Sequence, residues 1–100
     1  MRSIRLSELA EQDLAAAVEF YESRRSNLGR RFIARFRDGL GAIRPMPAKF
    51  RILDGDLHIY TMSQFPYGIV YSFDADTIEI VAVLSFHRSP VYWSDRLRTL

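Results

Sequence analysis

Residues 65–90 read FPYGIVYSFDADTIEIVAVLSFHRSP, and the fold depends on how they pair. Within them Ile78-Glu79-Ile80-Val81-Ala82-Val83-Leu84 is almost continuously β-branched or aliphatic. The run has no helical period and is apolar at both alternating sets of positions, which describes a central strand covered on both faces. Ile69 to Phe73 is the strand before it, with Ile69, Tyr71 and Phe73 facing one way, and Asp74-Ala75-Asp76-Thr77 is the tight turn between them. Leu57 to Gln64 is extended as well, with Leu57, Ile59 and Thr61 on one face and His58, Tyr60 and Met62 on the other. Phe65-Pro66-Tyr67-Gly68 turns the chain there, because proline cannot donate to a ladder and forces its predecessor out of the helical region. Three successive strands joined by short turns form an antiparallel meander.

Outward from the meander, helical periods appear. Arg2 to Leu6 alternates polar and apolar, a short half-buried strand. Ser7 can then cap a helix starting at Glu8, with Glu8, Glu11 and Asp13 placing negative charge at the positive end of its dipole. The stripe Ala10, Leu14, Ala17, Val18 and Tyr21 gives this helix one face on a core. Ser23 to Gly29 is a connection, after which Leu28, Phe32, Phe36, Leu40 and Ile43 resume the period to about Arg44, and Pro45 and Pro47 end it. On this second helix Arg30, Arg37 and Arg44 form a row on one flank of the apolar stripe, with Arg31 and Arg35 on the other. Gly39 and Gly41 weaken it by about 1 kcal/mol each, tolerable where something must approach closely. MPAKFRILDGD has no period; Asp54-Gly55 signals a turn, and Phe50, Ile52 and Leu53 are expected to anchor the loop at the core edge. After Pro90, Tyr92, Trp93 and Leu97 fit a C-terminal helical turn or two. The fold class is therefore α+β, β-α-α-β-β-β, a helical hairpin packed on an antiparallel sheet with a short C-terminal extension, in a single domain spanning residues 1–100.

Composition narrows the functional classes. A chain of 100 residues without cysteine has neither disulfides nor thiolate metal ligands, and a reducing cytoplasm is its natural compartment. No apolar stretch reaches membrane-spanning length, and MRSIRLSELAEQDL lacks a signal-like segment. The net charge of +2 is unevenly spread. Residues 1–23 carry two arginines against five acids, a net of −3; residues 24–51 carry eight arginines and Lys49 against Asp38, a net of +8; residues 52–100 return to −3. A basic block of this kind suits phosphate or an acidic protein. No glycine-rich phosphate loop is present, and the two histidines lie far apart without a carboxylate cluster between them, so neither a cofactor nor a metal is expected.

Several residues, in order, carry a resemblance to a known family. They are Asp13-Leu14 and Tyr21-Glu22 on the first helix, Leu28-Gly29-Arg30-Arg31-Phe32 opening the second, Phe65-Pro66-Tyr67 with Tyr71 on the hairpin, and Arg88-Ser89-Pro90 with Tyr92-Trp93 and Arg96 at the end. In these the chain resembles the ParE/RelE superfamily of toxins from bacterial type II toxin–antitoxin modules, in its ParE-like, plasmid-stabilisation branch. The resemblance implies a cognate antitoxin that lays an extended or helical tail along an apolar groove. It also implies one of two targets: DNA gyrase, inhibited by binding, or the ribosome, on which messenger RNA is cut.

The two activities demand different residues. RNA cleavage needs groups that activate the 2′-hydroxyl, stabilise the phosphorane and protonate the leaving oxygen. His87, Arg88 and Tyr92 are the candidates, with His58, Tyr67 and Tyr71 as further groups, but no Lys or Arg lies between Arg51 and Arg88. Many family members place a histidine where this chain has Ser85. The arginine rows of the second helix instead resemble the gyrase-directed branch, so the expected target-binding residues are Arg30, Arg31, Arg35, Arg37, Arg88, Trp93 and Arg96. The second sheet face, with Tyr71 or Val70 and Val81 or Val83 according to register, is the expected antitoxin surface together with Tyr67. A ribosome-dependent endoribonuclease and an inactive toxin relic are the alternatives.

Overall fold

The computed structural model describes all of residues 1–100. Its elements are β1 (Ser3–Leu6), α1 (Glu8–Arg24), α2 (Leu28–Ile43), a 3₁₀ turn (Pro47–Lys49), β2 (Ile52–Asp54), β3 (Leu57–Thr61), β4 (Tyr67–Phe73), β5 (Thr77–Ser85) and α3 (Pro90–Arg98). The strands form one sheet in the order β1-β5-β4-β3-β2. The meander β3-β4-β5 is antiparallel as expected, and β1 joins it parallel to β5 with Ile4 opposite Ile78. The sheet is thus mixed. Ser7 caps α1, its hydroxyl accepting from the Ala10 N–H at 3.1 Å, and helix α1 begins at Glu8.

Beyond the parallel β1, which makes the sheet mixed where an antiparallel one was expected, two differences from the sequence reading have clear causes. The segment without a period contains β2, an edge strand of three residues, too short to express alternation. In it Leu53 packs on the sheet, whereas Ile52 points to solvent. The C-terminal extension is a full helix of nine residues, started by Ser89, whose hydroxyl accepts from the Tyr92 N–H, and by Pro90 at its first position.

The doubly apolar character of β5 follows from a bulge. Val70 lies opposite Ala82 while Tyr71 lies opposite Ile80, leaving Val81 as the extra residue on β5. The inserted residue reverses the alternation. Ile78, Ile80 and then Val83 face the helices, whereas Ala82 and Leu84 face away. The main core gathers Phe32, Phe36 and Ile43 of α2 and Ala10 and Ala17 of α1 over Ile69, Tyr71, Ile78, Ile80 and Val83. The other face holds Ile59, Val70, Ala82 and Leu84, flanked within the sheet by Leu53 and Leu57 and packed by Tyr92 and Trp93, so α3 supplies the cover that the helical hairpin cannot.

The helix glycines divide by what surrounds them. A Cβ at Gly29 would lie 2.8 Å from the Val18 carbonyl oxygen, and one at Gly39 would lie 2.7 Å from Ile69 Cδ1, so these two set the approach of α2 to α1 and to the sheet. A Cβ at Gly41 would meet nothing within 4 Å. Gly29→Ala should therefore destabilise the protein by about 1–3 kcal/mol through overpacking. Gly41→Ala should stabilise it by up to about 1 kcal/mol. Urea midpoints moving in opposite directions for the two variants would bear this out; equal shifts would not.

Candidate binding surfaces

Three of the surface depressions gather the candidate residues. In the first, of about 400 Å³, Asp13, Ala16, Ala17, Phe20 and Tyr21 of α1 face Tyr67, Val83, Leu84 and Ser85, with His87, Arg88 and Tyr92 closing one end. Beyond Leu6 the outer edge of β5 has lost its partner strand, and α1 supplies a substitute: Asp13 Oδ2 accepts from the Val83 N–H at 3.0 Å. The same carboxylate receives two parallel hydrogen bonds from Arg96, Nη1 to Oδ1 at 2.9 Å and Nη2 to Oδ2 at 2.8 Å. Tyr92 accepts a further bond from Arg96 Nη1 at 3.2 Å, and Arg88 stacks over its ring at 4.4 Å. The hydrogen bonds from Arg96 to Asp13 hold its guanidinium proton more tightly than usual. Burial, and then the neighbouring Tyr21, push the Tyr67 phenol above its ordinary range, so it remains protonated beside Arg88.

A second depression lies across α2, where Arg31 and Arg35 face Gln64, Phe65 and Pro66 with Tyr21 and Leu28 at the base. Arg35 is held at 2.9 Å from Asp38 and donates to Gln64 Oε1 at 3.5 Å. Arg30, Arg31 and Arg37 are exposed and bonded to no carboxylate. The third depression, of about 210 Å³, is on the far sheet face between Arg51, Leu53, Ile59, Thr61, Phe86 and Trp93. Trp93 lies parallel to Phe86 at 5.6 Å and donates its Nε1–H to the Ser85 carbonyl at 3.0 Å, which fixes α3 on this side.

The geometry sorts the expected site residues. His87, Arg88 and Tyr92 do share one cleft, joined there by Tyr67 and Tyr21. Arg31 and Arg35 share the second depression, whereas Arg30 and Arg37 stand exposed on the other flank of α2. Arg96 is a correction: it is a structural cation, clamped to Asp13, and neither side chain is more than 17% exposed. Tyr71 and Val83 are corrections too, because the bulge and the alternation of β4 turn both under the helical hairpin, at 0% and 3% exposure. Val81 and Val70 belong to the other face, and Tyr67 opens into the α1 cleft. Asp13 was read as a dipole charge; it is the anchor of α3. Its marks in the sequence are its place beside the apolar stripe of α1 and the Asp13-Leu14 pair that carries part of the family resemblance.

A helical hairpin over a mixed five-stranded sheet is an α+β architecture of the kind that the resemblance to these toxins implies. The chain matches the family model of the ParE toxin of the type II toxin–antitoxin system, parDE, over residues 4–90, and it belongs to that family. Among solved structures, the chromosomal ParDE toxin–antitoxin system from P. aeruginosa is similar, with a TM-score of 0.60 at 15% identity, covering 83% of this chain and 94% of that one. No curated protein matches the chain. No helix is long and apolar enough to cross a membrane.

Proposed function

We propose that this ParE-family toxin acts in the cytoplasm by binding and inhibiting DNA gyrase, and that a cognate antitoxin neutralises it. The observation that carries this reading is the division of charge. Strands β2 to β5 contain no Lys or Arg, while Arg30, Arg31, Arg35 and Arg37 are all carried by α2, two on each flank of its apolar stripe. An inhibitor that works by binding needs a complementary surface rather than convergent acid and base groups. Arg88 and the half-buried Trp93 extend the target-binding surface toward α3. Antitoxin contacts are expected at Tyr67, inside the α1 cleft beside the exposed Phe20, and at Val81 beyond the end of β1.

The second reading, ribosome-dependent cleavage of messenger RNA, has its own support in the cleft that gathers Tyr21, Tyr67, His87, Arg88 and Tyr92. A protonated phenol beside a guanidinium suits a proton donor and a phosphate ligand. Purified toxin assayed for inhibition of DNA supercoiling, beside a translation reaction probed for cleaved messenger, separates the two. Loss of supercoiling inhibition in Arg31→Glu/Arg35→Glu, with His87→Ala/Arg88→Ala still inhibiting, is the outcome expected. Cleavage that disappears in the second variant would replace the gyrase reading with the ribosomal one. A folded protein inactive in both assays would be a relic.

A further inference from the structure

The outer face of α2 carries a pattern that neither the core nor the clefts account for. Arg30, Ala34, Arg37, Gly41 and Arg44 follow one another at i, i+4, i+7, i+11 and i+14, a single straight stripe. Arg30, Arg37 and Gly41 are exposed, and Ala34 and Arg44 half-buried. None of the three arginines pairs with a carboxylate, and Arg44 Nε is buried without a hydrogen-bond partner. Asp38, the one acid on α2, is already occupied by Arg35. Between the arginines the side chains are small, and at Gly41 the chain tolerates a weak helix residue although a Cβ there would touch nothing of its own. A glycine unexplained from inside the molecule makes sense if something outside comes against the helix backbone.

We propose that this stripe is a rail for the phosphate backbone of duplex DNA. Guanidinium groups recur every seven residues, about 10.5 Å along the helix, and a planar guanidinium is the side chain best suited to bind a phosphate through paired hydrogen bonds. Ala34 and Gly41 leave gaps between them into which a phosphate chain can sink. The stripe has no aromatic residue on which an unpaired base could stack, which sets single strands aside. The contact carries no base readout, so it is independent of sequence. It also goes beyond the gyrase reading, since it requires no gyrase.

The test is fluorescence anisotropy of a labelled mixed-sequence duplex titrated with the full chain, with no other protein present. Three phosphate contacts give a slope of log K against log salt concentration of about −2.7. Arg30→Gln/Arg37→Gln should bring it to about −0.9 and weaken binding about 100-fold near 50 mM salt. Arg5→Gln/Arg98→Gln, which removes the same net charge elsewhere, should leave the slope unchanged. Gly41→Leu, which strengthens the helix, should bind DNA more weakly while melting no lower than the parent. No binding at low salt would overturn the proposal. So would equal losses in the two arginine pairs, which is the result of diffuse charge attraction, or binding to DNA-free gyrase that depends on the stripe while duplex binding does not.

Discussion

Tyr71→Ala is expected to destabilise the protein by about 3–5 kcal/mol, much of the total that a domain of this size commands. Tyr71 is fully buried at the centre of β4. Its hydroxyl donates to the Pro47 carbonyl oxygen at 2.6 Å, and its ring stacks on His58 at 5.5 Å. His58 in turn reaches the Phe50 carbonyl through Nδ1 at 2.8 Å. These two side chains hold the segment that leads from α2 to β2 against the sheet. Tyr71→Phe keeps the packing but orphans the Pro47 carbonyl, at about 1–3 kcal/mol. Urea denaturation of the three proteins gives the order directly, and a phenylalanine variant as damaged as the alanine one would show that the hydroxyl dominates.

The same tyrosine makes stability depend on alkaline pH. Burial pushes its phenol from 10.0 up to about 12. The fold favours the protonated form, so this group's contribution is complete below about pH 10, where the unfolded chain is protonated too. As pH rises from about 10 to about 12 the unfolded chain loses its proton first, and about 2–3 kcal/mol of stability goes with it. Tyr71→Phe should flatten that part of the stability profile. A profile that declines equally in both proteins would assign the loss to other groups.

The second large effect is expected at the Asp13–Arg96 pair. Removing one member of a buried, bidentate pair leaves the other charge stranded, at about 3–5 kcal/mol. Asp13→Asn also weakens the acceptor on which the Val83 N–H depends. Arg96→Met leaves Asp13 with that single bond, and Asp13→Leu/Arg96→Met should recover part of the loss because no uncompensated charge remains. Trp93, the only tryptophan, reports the local event. Its fluorescence should shift to the red before global unfolding in either single variant, as α3 leaves Phe86. Cooperative loss of fluorescence and secondary structure together would mean that α3 and the sheet unfold as one.

Most of the architecture was legible because it rests on periods. Alternation identified β3 and β4, the stripes identified α1 and α2, and Ser7 marked the start of α1 to the residue. What escaped has physical reasons as well. A strand of three residues shows no alternation, and the parallel docking of β1 depends on partners more than seventy positions away. The bulge at Val81 is invisible in a run where every residue is apolar, and with it went the assignment of faces for Val83. For the candidate surfaces, clustering of arginines on α2 could be read from the spacing, but the fate of Arg96 could not. Nothing local distinguishes an arginine that will reach a carboxylate on another helix from one that faces solvent.

Closure of the chain on itself has a consequence for how the toxin comes into being. Arg5 and Glu79, joined across β1 and β5, are 74 positions apart, and Asp13 and Arg96 are 83 apart. Contacts of such high order form late, since the loop entropy must be overcome before any of them is rewarded. A nascent chain still lacking α3 has neither the cover of its far sheet face nor the clamp on α1, so the finished surfaces exist only once α3 has been made. For the same reason β1 and α3 act as closures rather than as fraying tips. Trimming the four residues of β1 or the nine of α3 would unseal the core, where trimming as many from an ordinary tail would pass unnoticed.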